Sequence, residues 1–189
     1  MVKGKVLRYF AGGNTAHGFH DLFSSTLEGL NRLFILKGGP GTGKSTLMRD
    51  LADSCIERGY DVELVHCASD PDSLDGVIIP AIKCGIVDGT APHIVEPELP
   101  GVVEEYVNLG SCWDSLVLQK NREEIIHLTQ EIKTCFKKAY EAFSEALSIH
   151  DEWEKIYIDN MDFEKANEFT DQLISLLLGG EEGKGTATI

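Results

Sequence analysis

The first half of the chain contains short apolar runs that alternate with glycine, proline and polar turns. Runs of five to seven residues of this kind, rich in valine, isoleucine and leucine, are typical of buried strands. The pattern predicts strands at residues 6–11, 33–37, 61–67 and 81–87.

Between the second and third of these runs the apolar spacing changes from continuous to helical. The pattern predicts a helix from about Lys44 to Arg58, with Gly59 as its stop. Its apolar face comprises Leu47, Met48, Leu51, Ala52 and Cys55. A strand, a helix and a further strand in this order predict an α/β fold, in which a parallel sheet is flanked by helices.

From about Trp113 onwards, apolar residues recur every three or four positions through a charged stretch. They predict a very long amphipathic helix, marked by Ile125, Leu128, Ile132, Phe136, Ala139, Phe143, Ala146 and Trp153. Asp159 and Asn160 interrupt the pattern, and a second helix follows from Phe163 to Leu177. We expect a long C-terminal helical hairpin whose apolar stripes face each other. The expected domains are a nucleotide-binding core (1–112), the hairpin (113–179) and a flexible tail (180–189).

The most specific motif lies between the second predicted strand and the helix. It spells G-x-x-x-x-G-K-S, the phosphate-binding P-loop, and comprises Gly38, Gly39, Pro40, Gly41, Thr42, Gly43, Lys44, Ser45 and Thr46. Glycines allow several backbone N–H groups to approach one polyphosphate, and the following helix directs its positive N-terminus at the same anion. The motif predicts ATP as ligand, with Lys44 on the β- and γ-phosphates as a catalytic residue.

The same motif predicts a Mg²⁺ site. The hydroxyl of Ser45 is expected to hold the metal, together with a carboxylate at the end of a buried strand. Asp88 follows the apolar run 81–87 and is the favoured catalytic and metal-side carboxylate. Asp70 and Asp72 are the rivals, because their turn should also lie at the carboxyl edge of the sheet.

Residues 90–101 form an irregular stretch that contains several prolines. Long loops at this edge of a sheet are often lids or substrate clamps, so His93 and Glu96 are candidates for the site. Either residue could equally be a solvated loop residue.

The composition of the chain excludes some classes of binding partner. The formal charge of −14 argues against nucleic acid and anionic membranes as main partners. No apolar run approaches the roughly 20 residues of a membrane span. Five scattered cysteines without a C-x-x-C motif are best explained as buried free thiols in a reducing cytoplasm.

Several stretches together resemble a family of bacterial ATP-binding proteins with P-loops, sometimes described as nucleotide-kinase-like. The matching stretches are residues 7–10, 38–46, 66–71, 77–80 and 88–93, and the likeness spans about residues 5 to 178. By its P-loop the chain also resembles the P-loop NTPase superfamily, and the resemblance implies the fold of that superfamily. Members of the family resemble a tandem of two such units, whereas this chain contains one P-loop. A second P-loop unit or a second copy of the chain is therefore a candidate partner.

These observations favour a Mg²⁺-dependent ATP-binding protein that hydrolyses the γ-phosphate. Hydrolysis is expected to be slow, because Gly89 stands where many motor-type ATPases have a second carboxylate after the aspartate. Two alternatives stay open. The chain could be a kinase for a small molecule or nucleotide, with the loop 92–110 and part of the hairpin closing over the acceptor. It could also be a nucleotide-gated interaction module whose output is the hairpin.

Overall fold

The structure, a computed structural model, describes residues 2–91 and 94–179. His93 and the expected tail, residues 180–189, lie outside the described residues. The strands are β1 (Val6–Phe10), β2 (Gly12–Thr15), β3 (Gly18–Asp21), β4 (Arg32–Lys37), β5 (Val62–His66), β6 (Leu74–Ile79), β7 (Cys84–Asp88) and β8 (Glu104–Asn108). The helices are α1 (Phe23–Thr26), α2 (Lys44–Glu57), α3 (Ser115–Lys120), α4 (Arg122–Ile158) and α5 (Phe163–Leu178).

A six-stranded sheet of order β1-β5-β6-β7-β4-β8 forms the centre of the fold. The pairs β1–β5, β7–β4 and β4–β8 are parallel, whereas β6 runs antiparallel to both of its neighbours. The prediction of an α/β fold with helices flanking the sheet is confirmed. The expected parallel sheet is mostly parallel, with β6 as the exception.

The reversal at β6 follows from its short connections. A tight turn joins antiparallel neighbours, whereas parallel neighbours need a long crossover. Residues Pro80–Ile82 form one 3₁₀ turn, and Lys83 leaves it with a left-handed φ of 48°. The expected strand 81–87 is therefore wrong at its start, since β7 begins only at Cys84.

The edge strand β8 lies in a region for which the sequence predicts a loop. Its sequence, Glu104 to Asn108, is mostly polar and exposed, so it lacks the apolar run of a buried strand. Pairing with β4 on one side is enough to hold it, because an edge strand needs few buried side chains. The loop expected over residues 92–110 in the kinase alternative is thus wrong for 104–108.

Apolar side chains are buried on both faces of the sheet. On one face Leu36, Leu64 and Val77 pack with Met48 and Ala52 of α2. The other face holds a second cluster of buried side chains, comprising Ala11, Phe23, Leu33, Ile35, Val65 and Val87. The predicted helix 44–58 is confirmed as α2, and it covers one face directly behind the glycine-rich segment.

The described chain divides into two compact units, the first ending at Glu145 and the second beginning at Ala146. The two predicted C-terminal helices are present as α4 and α5. Within the second unit, however, Trp153 of α4 and Leu173 of α5 are 56% and 57% exposed. The expectation that the apolar stripes cover each other is therefore wrong for these described residues, because helix periodicity indicates an apolar face without specifying what covers it.

The structure also tests the expectations about the cysteines and about membrane-spanning helices. All five cysteines are free, but Cys112 and Cys135 are exposed and the other three are half-buried, so the prediction of buried thiols is wrong. In the part of the chain that the structure describes, no helix combines the length and apolarity that a membrane crossing requires.

Candidate functional site

The candidate site lies at the carboxyl edge of the sheet, where β4 leads into residues 38–43 and then into α2. Strand β7 is the parallel neighbour of β4, and their register pairs Leu36 with Asp88. Asp88, the last residue of β7, is therefore level with the end of β4. The sheet thus places Asp88 beside the glycine-rich loop (residues 38–43), as the sequence predicted.

The backbone of the glycine-rich loop depends on glycine at particular positions. Gly41 and Gly43 adopt left-handed φ values of 73° and 82°, which other residues rarely adopt. A Cβ on Gly38 would lie 2.9 Å from Oγ1 of Thr42. That hydroxyl donates a hydrogen bond to the Gly39 carbonyl at 2.9 Å, which closes the turn.

Helix α2 begins directly after this loop. Its N-cap residue is Gly43, and no side chain caps the helix. The first N–H groups of a helix have no intrahelical partner and carry partial positive charge, so they favour a bound anion.

Lys44 brings a buried cation to the same point. Its side chain is only 10% exposed, and Nζ donates hydrogen bonds to the carbonyls of Gly38 and Gly39 at 2.8 and 2.9 Å. The same Nζ lies 3.5 Å from Oδ2 of Asp88. A buried charge is stable only when it is paired and hydrogen-bonded, and Lys44 meets both conditions. The two predicted catalytic residues are thus in contact.

Asp88 is held by the turn that follows β7. Its Oδ1 accepts hydrogen bonds from the backbone N–H of Thr90 at 2.9 Å and from the Thr90 hydroxyl at 2.5 Å. This arrangement is an Asx turn, which fixes the carboxylate and leaves Oδ2 directed at Lys44. Thr90 was not singled out from the sequence, although its position two residues after an aspartate is typical of such turns.

A cavity of about 530 Å³ opens over the loop. Its lining includes residues 40–46 of the motif, Asp88 and Thr90. Ser45, the predicted magnesium ligand, lines it too, and its Oγ accepts a hydrogen bond from the Leu74 N–H at 2.9 Å. Gly38 and Gly39 do not belong to this lining and contribute their carbonyls to Lys44 instead.

The two rival carboxylates differ in position. Asp70 lines the cavity. Asp72 is absent from that lining, and its carbonyl accepts a hydrogen bond from Nη2 of Arg49 at 2.5 Å. Of the two rivals, Asp70 is therefore the one whose position at the cavity fits the predicted role.

Asp75 also lines the cavity, and the sequence analysis missed it. It lies in β6, all six residues of which are buried, and is 7% exposed. Asp75 accepts a hydrogen bond from the Cys67 thiol; burial is the largest cause that raises the pKa of Cys67, and the Asp75 charge adds to it. A carboxylate inside the apolar run 74–79 was the available signal, because a buried charge needs a partner or a function.

Glu96 does not line the cavity over the glycine-rich loop. Its carboxylate accepts hydrogen bonds from Lys37 at 3.3 Å and from the Tyr106 hydroxyl at 2.5 Å, and the Tyr106 bond is the main cause that lowers the pKa of Glu96. It lines a different cavity, beside Phe23 and Leu30. Of the two interpretations left open for Glu96, the structure favours the loop residue, because Glu96 does not line the cavity over the glycine-rich loop.

Helix α4 reaches this edge within the first unit. Phe136 lines the cavity over the loop, as does Ala91. One turn further along, the Tyr140 hydroxyl donates a hydrogen bond to Oδ1 of Asn14 at 2.9 Å. Helical spacing alone placed Phe136 in an apolar stripe and gave no indication that it borders the site.

Comparisons of the chain with protein-family models, with curated proteins and with solved structures found no match.

Proposed function

We propose that the chain binds a magnesium nucleoside triphosphate, ATP, at residues 38–46 and hydrolyses its terminal phosphate slowly. The observation that carries this proposal is the position of the Lys44 ammonium group. It is buried at the start of α2, within 3.5 Å of Asp88 and hydrogen-bonded to two carbonyls of the glycine-rich loop. A buried cation beside an uncapped helix N-terminus is suited to a polyphosphate.

The loop fits this ligand. Glycines with left-handed φ at positions 41 and 43 present backbone without side chains to the cavity, so N–H groups can approach phosphate oxygens closely. In the proposed complex these N–H groups and Lys44 stabilise the negative charge that develops on the terminal phosphate. We also propose that the fold is of the P-loop NTPase type.

The side chains that would hold Mg²⁺ are Ser45 and Asp88. Both side chains line the cavity. Ser45 Oγ accepts one hydrogen bond and has a second lone pair for a metal, and Asp88 offers Oδ2, because its Oδ1 is hydrogen-bonded to Thr90. Oxygen ligands of this kind suit Mg²⁺. When bound, the ion neutralises charge on the phosphate oxygens.

Slow hydrolysis is proposed because the position after Asp88 has no room for a side chain. A Cβ on Gly89 would lie 2.3 Å from Cγ2 of Ile35, which is fully buried. A second carboxylate therefore does not fit this packing. Among the described residues that line the cavity, Asp70 and Asp75 are the carboxylates left to orient water.

The test is ATP turnover as a function of Mg²⁺ concentration. Asp88→Asn should raise the Mg²⁺ concentration needed for half-maximal turnover, whereas Asp70→Asn, which also lines the cavity, should leave it unchanged. The reverse result would assign the metal to Asp70. If neither variant alters the Mg²⁺ dependence, the proposed metal site is wrong.

The same assay examines phosphoryl transfer to an acceptor. ADP release should proceed without any added acceptor if the protein is a hydrolase. If a panel of nucleosides, nucleotides and sugars is needed before ADP appears, the activity is that of a kinase and hydrolysis is the wrong assignment.

A nucleotide-gated interaction module is a second candidate, because α4 touches the same cavity. Phe136 lines the cavity and Tyr140 hydrogen-bonds to Asn14 at the adjoining hairpin β2–β3. A ligand that favours one position of α4 would shift the population of that position. Hydrogen exchange of residues 130–145 with and without Mg·ATP tests this: altered protection with slow turnover supports gating, and identical protection rejects it.

A further inference from the structure

Trp113 packs on the glycine-rich loop at the side away from Asp88. A Cβ on Gly39 would lie 3.4 Å from Cζ2 of its indole, and a Cβ on Gly110 would lie 3.2 Å from Cζ3. The benzo ring is therefore close to the backbone of both glycines. The side chain is nevertheless 43% exposed, so a large part of the aromatic surface faces solvent.

The backbone around Trp113 is fixed on both sides. The Asn108 side chain accepts a hydrogen bond from Gly110 N–H at 2.9 Å, and Trp113 N–H donates to the Gly110 carbonyl at 3.2 Å. On the other side Asp114 caps α3 by accepting from the N–H groups of Leu116 and Val117. An aromatic ring on such a held backbone loses little conformational entropy when a ligand binds.

The order of the strands shows on which side of the glycine-rich loop Trp113 lies. Strand β4 lies between β7, which ends at Asp88, and β8, which leads to Trp113. The β4–β8 register pairs Lys37 with Asn108, so the glycine-rich loop and the turn carrying Trp113 start at the same level. Trp113 and Asp88 therefore flank the loop from opposite sides.

A nucleoside triphosphate is an elongated molecule, with the metal-bound phosphates at one end and the base at the other. The proposed phosphate and metal contacts, Lys44 and Asp88, lie on the β7 side of the loop. We propose that Trp113 is the stacking surface for the nucleobase, on the β8 side. This inference rests on the proposed function and adds the group that distinguishes a nucleotide from a bare polyphosphate.

A competing aromatic residue makes the inference specific. Phe136 also borders the proposed phosphate cavity, and it shares the lining of that cavity and of a second one with Ala91, which follows Asp88 and Thr90 on the β7 side. If the base were held there, Phe136 and not Trp113 would discriminate ATP from polyphosphate. Phe136→Ala is therefore the matched control for Trp113→Ala.

The experiment uses the fluorescence of Trp113 in the full chain. The protein has two tryptophans, so Trp153→Phe leaves Trp113 as the single tryptophan. Mg·ATP should quench its emission, whereas magnesium tripolyphosphate, which lacks a base, should bind without quenching. Equal effects of the two ligands, or no change with either bound ligand, would overturn the inference.

Binding affinities provide the second arm. Trp113→Ala should weaken Mg·ATP by about tenfold, the size expected for loss of one base–aromatic stack. Its affinity for tripolyphosphate should be unchanged, and Trp113→Phe should restore most of the ATP affinity. Equal weakening of both ligands would show that Trp113 only supports the loop, and selective loss in Phe136→Ala would place the base on the other side.

Failure of the proposed function gives a different result. If the unmodified chain binds neither Mg·ATP nor tripolyphosphate, there is no polyphosphate site, and the inference falls with it. If both ligands bind and both depend on Lys44, the polyphosphate site is supported. The difference between Mg·ATP and tripolyphosphate then tests the role of Trp113 alone.

Discussion

The sheet and the C-terminal helices contain similar kinds of apolar side chains but bury them to very different extents. Strand β6 has all six residues buried, and Leu36 of β4 is fully inaccessible. Helices α4 and α5 contain no buried residue, and Leu177 of α5 is 78% exposed. We infer from this difference that the stability of the fold, and with it the rigidity of the candidate site, comes from the sheet and α2.

This contrast bears on the proposed function, because a site that binds phosphate must be preorganised. Lys44 and Asp88 are attached to elements whose neighbours are buried on both faces of the sheet. The exposed apolar side chains of α5 contribute no such support. We therefore expect substitutions in the sheet to alter stability and binding together, and substitutions in α5 to alter neither.

The largest expected effect comes from a matched pair of leucines. Leu36→Ala should lower the free energy of unfolding by about 2–5 kcal/mol, since it leaves a cavity in the buried core beside α2. Leu177→Ala should change it by less than about 0.5 kcal/mol, because that side chain is mostly exposed. Urea unfolding measures both values. Equal losses would show that the sheet and the C-terminal helices contribute alike to stability, contrary to this account.

A pair of glycines gives the next largest effect. Gly89→Ala should cost about 1–3 kcal/mol, because its Cβ would overlap Cγ2 of Ile35. Gly13→Ala should be nearly neutral, because a Cβ there meets nothing within 4 Å. Thermal unfolding of the two variants checks this. A neutral Gly89→Ala would remove the reason given for the missing second carboxylate.

Tyr9 lies in β1, at the edge of the sheet, where we expect a smaller contribution to stability. Its hydroxyl donates a hydrogen bond to Glu63 at 2.8 Å, and Tyr9→Phe should lower the free energy of unfolding by about 1 kcal/mol at pH 7. Burial first, and then the bond to Glu63, raise the pKa of Tyr9 in the folded state.

The raised pKa fixes the direction of the pH dependence. The folded state favours the protonated phenol, so its contribution is complete below the ordinary tyrosine pKa of 10.0 and declines as the pH rises above it. The difference between the parent chain and Tyr9→Phe should therefore shrink above pH 10. Tyr60→Phe, at an exposed position, is the control, and a difference that grows with pH would contradict the assignment.

Local patterns were enough to predict the elements that carry the proposed phosphate contacts. Strand β4, the glycine-rich loop and α2 are continuous in sequence, and their apolar spacing is set by their own geometry. The position of Asp88 could be predicted too, because the ends of parallel strands meet at one edge of a sheet.

The features that were missed depend on pairing between distant segments. Strand β8 is polar, and only its register with β4 shows that it is a strand. Asp75 is recognisable as part of the site only when β6 is placed between β5 and β7. Trp113 belongs to the same class, since its contact with Gly39 spans more than 70 positions of the chain.

The central claim is that Lys44 and the glycine-rich loop form a site for the phosphates of a magnesium nucleotide. Calorimetric titration of Mg·ATP into the parent chain, Lys44→Ala and Lys5→Ala tests it most directly. Lys44→Ala should weaken binding by about 10- to 100-fold, the loss expected for charge-assisted hydrogen bonds, while Lys5→Ala, on the far edge of the sheet, should bind as the parent does. Equal affinity in the parent chain and Lys44→Ala would contradict the claim.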